Sequence, residues 1–152
     1  MNFDSATLAA IAPRDLLPHR GRMCLIDRVT ACDDAHIVCE ADSHRAPNHP
    51  LALDGMLAPA CGLEYGAQAM AIHGALLAAR GASPSVRSRV GYIVAAHELS
   101  WSVTRLDDLP APLVIEARRE FGSDNQVSYA FVVRAGGRDV MQGRAGVVLS
   151  AT

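Results

Sequence analysis

The sequence predicts an α+β fold in which a curved antiparallel sheet wraps around one long central helix. The stretch near 59–79 is apolar almost all the way round, as a deeply buried helix must be. Alternating, strand-like runs lie before and after it. Turn-forming residues separate them, so neighbouring strands pair antiparallel and the lone helix has to cover one face of their sheet. At 152 residues the chain is expected to be a single domain spanning 1–152, with no internal repeat or linker.

From the N-terminus, TLAAIA (7–12) predicts a short helix closed by Pro13. LPHRG is turn-like and leads into a strand over about Met23 to Thr30, with Cys24 and Ile26 on one face and Met23, Leu25 and Val29 on the other. Asp33-Asp34 makes a turn, and AHIVCEAD is the returning strand. Residues 43–58 hold two prolines, Asn48, Asp54 and Gly55, and are expected to be an irregular loop. Pro59 suits the first turn of the long helix, where its missing N–H costs nothing, and Arg80-Gly81 suits its end. After the loop GASPSVRSR come strands at roughly 90–104 (broken near 97–99), 112–121, 126–135 and 139–150. LDDLPAP, GSDN and AGGR separate them.

The composition excludes several classes. A formal charge of −2 and scattered arginines give no basic footprint, so nucleic acid is not an expected partner. No apolar stretch reaches the roughly 18–20 residues of a membrane span. MNFDSATLAAIAPRDLLPHR carries an early acid and no basic leader, so no signal peptide is expected. Four cysteines without a CxxC pair then indicate reduced thiols and a cytoplasmic protein. His44 and His49 have no neighbours that complete a metal-ligand spacing, and no metal is expected.

Chemistry points to ACGLEYGAQAMAIHG (60–74), where Glu64 stands alone among apolar residues. A charged, unpaired carboxylate buried there would cost on the order of several kcal/mol, so a partner, a proton or a cavity has to relieve it. Gln68, four residues on, shares its helix face and can donate to it. A carboxyl group in apolar surroundings is suited to donating a proton near neutral pH. A histidine is the expected other half of a proton-transfer pair. His73 is on another face, His97 and His36 lie in strands, and His19 belongs to a turn. His49, in the loop leading into the helix, is the chosen candidate, with His44 behind it.

LLPHRGRMCLIDRV (16–29) resembles the opening motif of hotdog-fold β-hydroxyacyl-[acyl-carrier-protein] dehydratases. LEYGAQAMA (63–71) resembles the acid-bearing stretch of their central helix, with Glu64 and Gln68 at the matching positions, and DDLPAPLVIEARRE (107–120) is similar to a later strand segment. The closest likeness is to the small dehydratase-like proteins of aryl-polyene and other polyketide or fatty-acid clusters. The resemblance implies a homodimer, or a heterodimer with a hotdog paralogue, whose sheets join edge to edge. It implies an active site at the seam that accepts the phosphopantetheine arm of an acyl-carrier protein, with no diffusible cofactor. In that scheme His49 removes the α-proton, Glu64 protonates the departing β-hydroxyl, Gln68 supports it, and N–H groups of Ala60, Cys61 or Gly62 polarise the thioester carbonyl. His49 lies one residue off the family spacing, because Pro50 stands fourteen before Glu64. A non-catalytic partner subunit that binds acyl thioesters and an acyl thioesterase therefore stand as alternatives.

Overall fold

A computed structural model describes residues 2–81, 91–123 and 125–149. Most of the predicted loop GASPSVRSR and residue 124 of the GSDN turn lie outside them. The described chain is a six-stranded antiparallel sheet wrapped around one long helix, the hotdog arrangement. The strands are β1 (Arg28–Cys32), β2 (His36–Ala41), β3 (Gly91–Trp101), β4 (Leu113–Gly122), β5 (Gln126–Ala135) and β6 (Arg138–Leu149), in the spatial order β1-β2-β4-β5-β6-β3. The helices are α1 (Ser5–Ala9), α2 (Pro13–Leu16) and α3 (Gly62–Gly81), and a 3-10 turn over Pro59–Cys61 leads into α3.

The turns follow from local chemistry. Asp33 Oδ1 accepts the N–H groups of Ala35 and His36 and closes the β1–β2 turn. Gly136 (φ 59°) and Gly137 (φ 77°) form the two-residue β5–β6 turn, whose left-handed backbone favours glycine at both places. In β3 the pairing with β6 shifts between His97 and Ser100, and Glu98 there has φ 55°. That irregularity is the break foreseen near 97–99.

Two expectations need correction. Pro13 opens α2 instead of closing a helix over 7–12. The first helix begins earlier, at Ser5, because Asp4 caps it through Thr7 N–H at 2.7 Å. The strand expected from Met23 starts only at Arg28. Residues Gly21–Met23 form a 3-10 turn, and the Gln68 side chain, not a neighbouring strand, bonds the Met23 carbonyl and the Leu25 N–H.

Inward-facing Ile115, Ala117, Phe131, Val133 and Met141 meet Tyr65, Ala69, Ile72 and Leu76 of α3. The helix lies so close to β5 that a Cβ on Gly66 would stand 2.7 Å from the Phe131 ring. The outer face carries paired charges, Arg134 with Asp139 at 2.8 Å and Arg144 with Glu98 at 3.3 Å. β3 is an edge strand, with Val94 and Trp101 exposed. Among the described residues no helix is long and apolar enough to cross a membrane.

Candidate active site

Glu64 occupies the first turn of α3. It is not sealed in the core as its apolar neighbours suggested: about 31% of its side chain is accessible. Two groups hold one of its oxygens. Gln68 Nε2 donates to Oε1 at 3.2 Å, and His19 Nε2 lies 2.9 Å from the same atom. His19 Nδ1 is buried and has no hydrogen-bond partner among the described residues. An unmet buried N–H is the costlier orphan, so the imidazole proton belongs on Nε2, pointing at the carboxylate. Oε1 thus receives two N–H donors, and Oε2 has no partner among the described residues.

Gln68, expected as a support, is fully buried. Besides Glu64 it donates to Met23 O at 2.6 Å and accepts from Leu25 N–H at 2.8 Å. With all these bonds made, its amide orientation is fixed, and the segment that follows His19 is sewn to the helix. The Cys24 thiol donates to the His19 carbonyl at 3.1 Å and steadies the same turn.

His49 is also buried, but the structure brings it to Tyr65 and not, within one chain, to Glu64. Leu51 N–H donates to Nδ1 at 3.0 Å, which leaves the ring proton on Nε2, 3.1 Å from the Tyr65 hydroxyl. Tyr65 in turn lies 2.7 Å from Ser43 Oγ, whose own proton goes to Leu25 O at 2.7 Å. Desolvation by burial lowers the pKa of His49 below its ordinary 6.5, so the ring is neutral. Burial also pushes the Tyr65 phenol up, so it stays protonated. His44, the second candidate, bonds Leu109 O at 3.0 Å, and burial lowers its pKa too.

Of the three amides at the helix start, Cys61 N–H turns back to Ala58 O and Gly62 N–H to the carbonyls of Pro59 and Ala60, while Ala60 is exposed. A hollow of about 370 Å³ lies elsewhere, over Glu116, Arg118, Arg134 and Arg144 on the outer sheet face. Its arginines are already matched with acids. His73 is wholly buried near the middle of α3, bonded to Tyr129 and Asp33 O, and serves the core.

Sequence reasoning missed the part of His19 in holding Glu64, and it missed Tyr65 and Ser43. A phenol in an apolar helix, one residue after the key acid, was the available signal for Tyr65, since a buried hydroxyl needs a partner.

Comparison with known proteins adds the following. The ApeP-like family, described as ApeP dehydratase, matches residues 11–151. No curated protein sequence matches. Among solved structures, the dehydratase heterocomplex ApeI:P from Xenorhabdus doucetiae is similar with a TM-score of 0.79 at 18% identity, covering 93% of each chain. AziG from S. sahachiroi is similar with a TM-score of 0.58 at 14% identity, over 88% of this chain and 97% of that one. A hypothetical thioesterase with coenzyme A from Streptococcus pneumoniae TIGR4 is similar with a TM-score of 0.55 at 14% identity, over 81% and 84%.

Proposed function

The chain belongs to the ApeP-like dehydratase family, and we propose that it takes part in dehydrating β-hydroxyacyl thioesters carried on acyl-carrier protein, in aryl-polyene-like or related fatty-acid and polyketide synthesis. The observation that carries this reading is Glu64 itself: Oε1 is held by two N–H donors, Oε2 is left over among the described residues, and the side chain is part open at the start of the helix. In the proposed step Oε2 takes the α-proton of the thioester. The C–O bond to the β-hydroxyl breaks as the C=C bond forms, and the carboxyl returns the same proton to the departing hydroxyl. The products are the enoyl thioester and water, and Glu64 is again a carboxylate. His19 and Gln68 hold the carboxylate in place throughout, and the Ala60 N–H is the amide suited to the thioester carbonyl.

The heterocomplex formed by the ApeI:P relative supports a mixed hotdog dimer, joined at the β3 edge where Val94 and Trp101 are exposed. Exposed Arg14, Arg20 and Arg22, close to His19 in sequence, suit an acidic carrier protein. Four free cysteines suit the cytoplasm.

In a second reading His49 is the base and Glu64 only the acid. The observation that favours it is the burial that keeps His49 neutral, the form a base needs. His49 would then have to free a nitrogen from Leu51 or Tyr65.

The test is product analysis. The purified chain, with and without a hotdog paralogue, receives a β-hydroxyacyl thioester on carrier protein. Enoyl product supports dehydration. Release of free thiol without enoyl would replace it with hydrolysis, and binding without turnover in the presence of an active paralogue would make the chain the silent partner.

A further inference from the structure

His49, Tyr65 and Ser43 form a line of hydrogen bonds, buried at His49 and Tyr65 and part-buried at Ser43, whose direction is fixed at every step. Leu51 N–H occupies His49 Nδ1, so His49 Nε2–H donates to Tyr65 Oη. Ser43 gives its proton to Leu25 O, so the Tyr65 hydroxyl donates to Ser43 Oγ. The line ends on Leu25, which is fully buried and whose N–H is held from the other side by Gln68 Oε1. Gln68 then reaches Glu64. Tyr65 follows Glu64 directly on α3, so the carboxylate and the phenol leave the helix in different directions yet converge again through Leu25.

From this geometry we infer that Tyr65, acting with Ser43, is a positioning residue: together with Leu51 N–H it holds the His49 ring in the Nε2–H tautomer, and through Ser43 it steadies Leu25 and so the Gln68 amide that aims Glu64. The inference rests on the reading of Glu64 as the proton carrier. The link is mechanical and not electronic, because the C=O and N–H of Leu25 belong to different peptide planes. It operates by leaving no alternative: each donor on the line has one acceptor, and a missing member strands a buried polar group.

A purely structural tyrosine predicts different behaviour. Tyr65→Phe keeps the ring and its packing and removes one oxygen, which orphans His49 Nε2–H. The readout is the ¹⁵N spectrum of the histidine side chains in the full chain. His49 in the unsubstituted protein is expected as a single Nε2–H tautomer. In Tyr65→Phe the stranded Nε2–H is expected to draw the ring off Leu51 N–H towards water, so that a mixture of tautomers appears, and enoyl formation is expected to fall about tenfold in kcat with KM little changed. Ser43→Ala strands the Tyr65 O–H and the Leu25 carbonyl instead, with a smaller packing change, and carries the kcat readout if Tyr65→Phe does not fold.

Two results overturn the inference: His49 already mixed or Nδ1–H in the unsubstituted protein, or a folded variant with His49 still a single tautomer and kcat unchanged. The tautomer readout needs no turnover. A locked His49 in a protein that makes no enoyl product would sink the dehydratase reading and leave the relay standing, whereas an active enzyme with an unlocked His49 would do the reverse.

Discussion

Gln68→Met removes the amide while keeping the length and bulk of the side chain, so it isolates hydrogen bonding from packing. Gln68 is fully buried and serves two backbone groups, Leu25 N–H at 2.8 Å and Met23 O at 2.6 Å. Neither sits in a strand, so no ladder partner can take over. Each stranded group costs about 1–3 kcal/mol, giving roughly 2–6 kcal/mol for the pair. The bond to Glu64 is part open to water and adds little. In a chain of this size about 2–4 °C of Tm accompanies each kcal/mol, so the expected loss is about 4–24 °C. Thermal unfolding followed by circular dichroism measures it. A Gln68→Met protein melting within about 1 °C of the parent would refute the reasoning, since the segment 23–25 would then be held by something other than this amide.

Other outcomes follow from the same geometry. Gly66→Ala should cost about 1–3 kcal/mol in urea unfolding, because its Cβ would lie 2.7 Å from Phe131, and Phe131→Leu should recover part of that. Acid should destabilise the fold early. Burial holds the pKa of His44, His49 and His73 below 6.5, so their contribution is complete above about pH 6.5 and is lost as pH falls towards the folded values. The slope is up to about 1.4 kcal/mol per pH unit for each group, and a midpoint in urea that does not change between pH 7.5 and 5.5 would contradict it. His19→Ala should slow enoyl formation by ten- to a hundredfold if it steadies Glu64, whereas His49→Asn should be the more damaging of the two if His49 is the base. Val94→Lys should weaken a mixed dimer joined at β3, read by size-exclusion chromatography with the paralogue.

The sheet was legible because its signals are local. Asp33-Asp34 and Gly136-Gly137 turn the chain by their own chemistry, and β2, β4 and β5 alternate in burial as their sequences do. The segment 23–25 was misread because it alternates like a strand while the Met23 carbonyl and the Leu25 N–H bond to a side chain 43 to 45 residues away. Glu64 and Gln68 were legible as a pair at helical spacing. The meeting of His19 with Glu64 was not, since a turn and a helix 45 residues apart share no period. His49 was singled out by its loop position, and nothing in the sequence reveals that both of its nitrogens are occupied, one by a backbone amide two residues on and one by a phenol on the helix.

The most direct measurement compares Glu64→Gln with the parent protein for the rate of enoyl-thioester formation at matched folding and matched dimer content. Glutamine keeps the shape and can still accept from Gln68 and His19, so the melting temperature should barely change. It cannot carry the proton, so the rate should fall at least about a hundredfold. A Glu64→Gln protein that dehydrates its substrate at the parental rate would contradict the account.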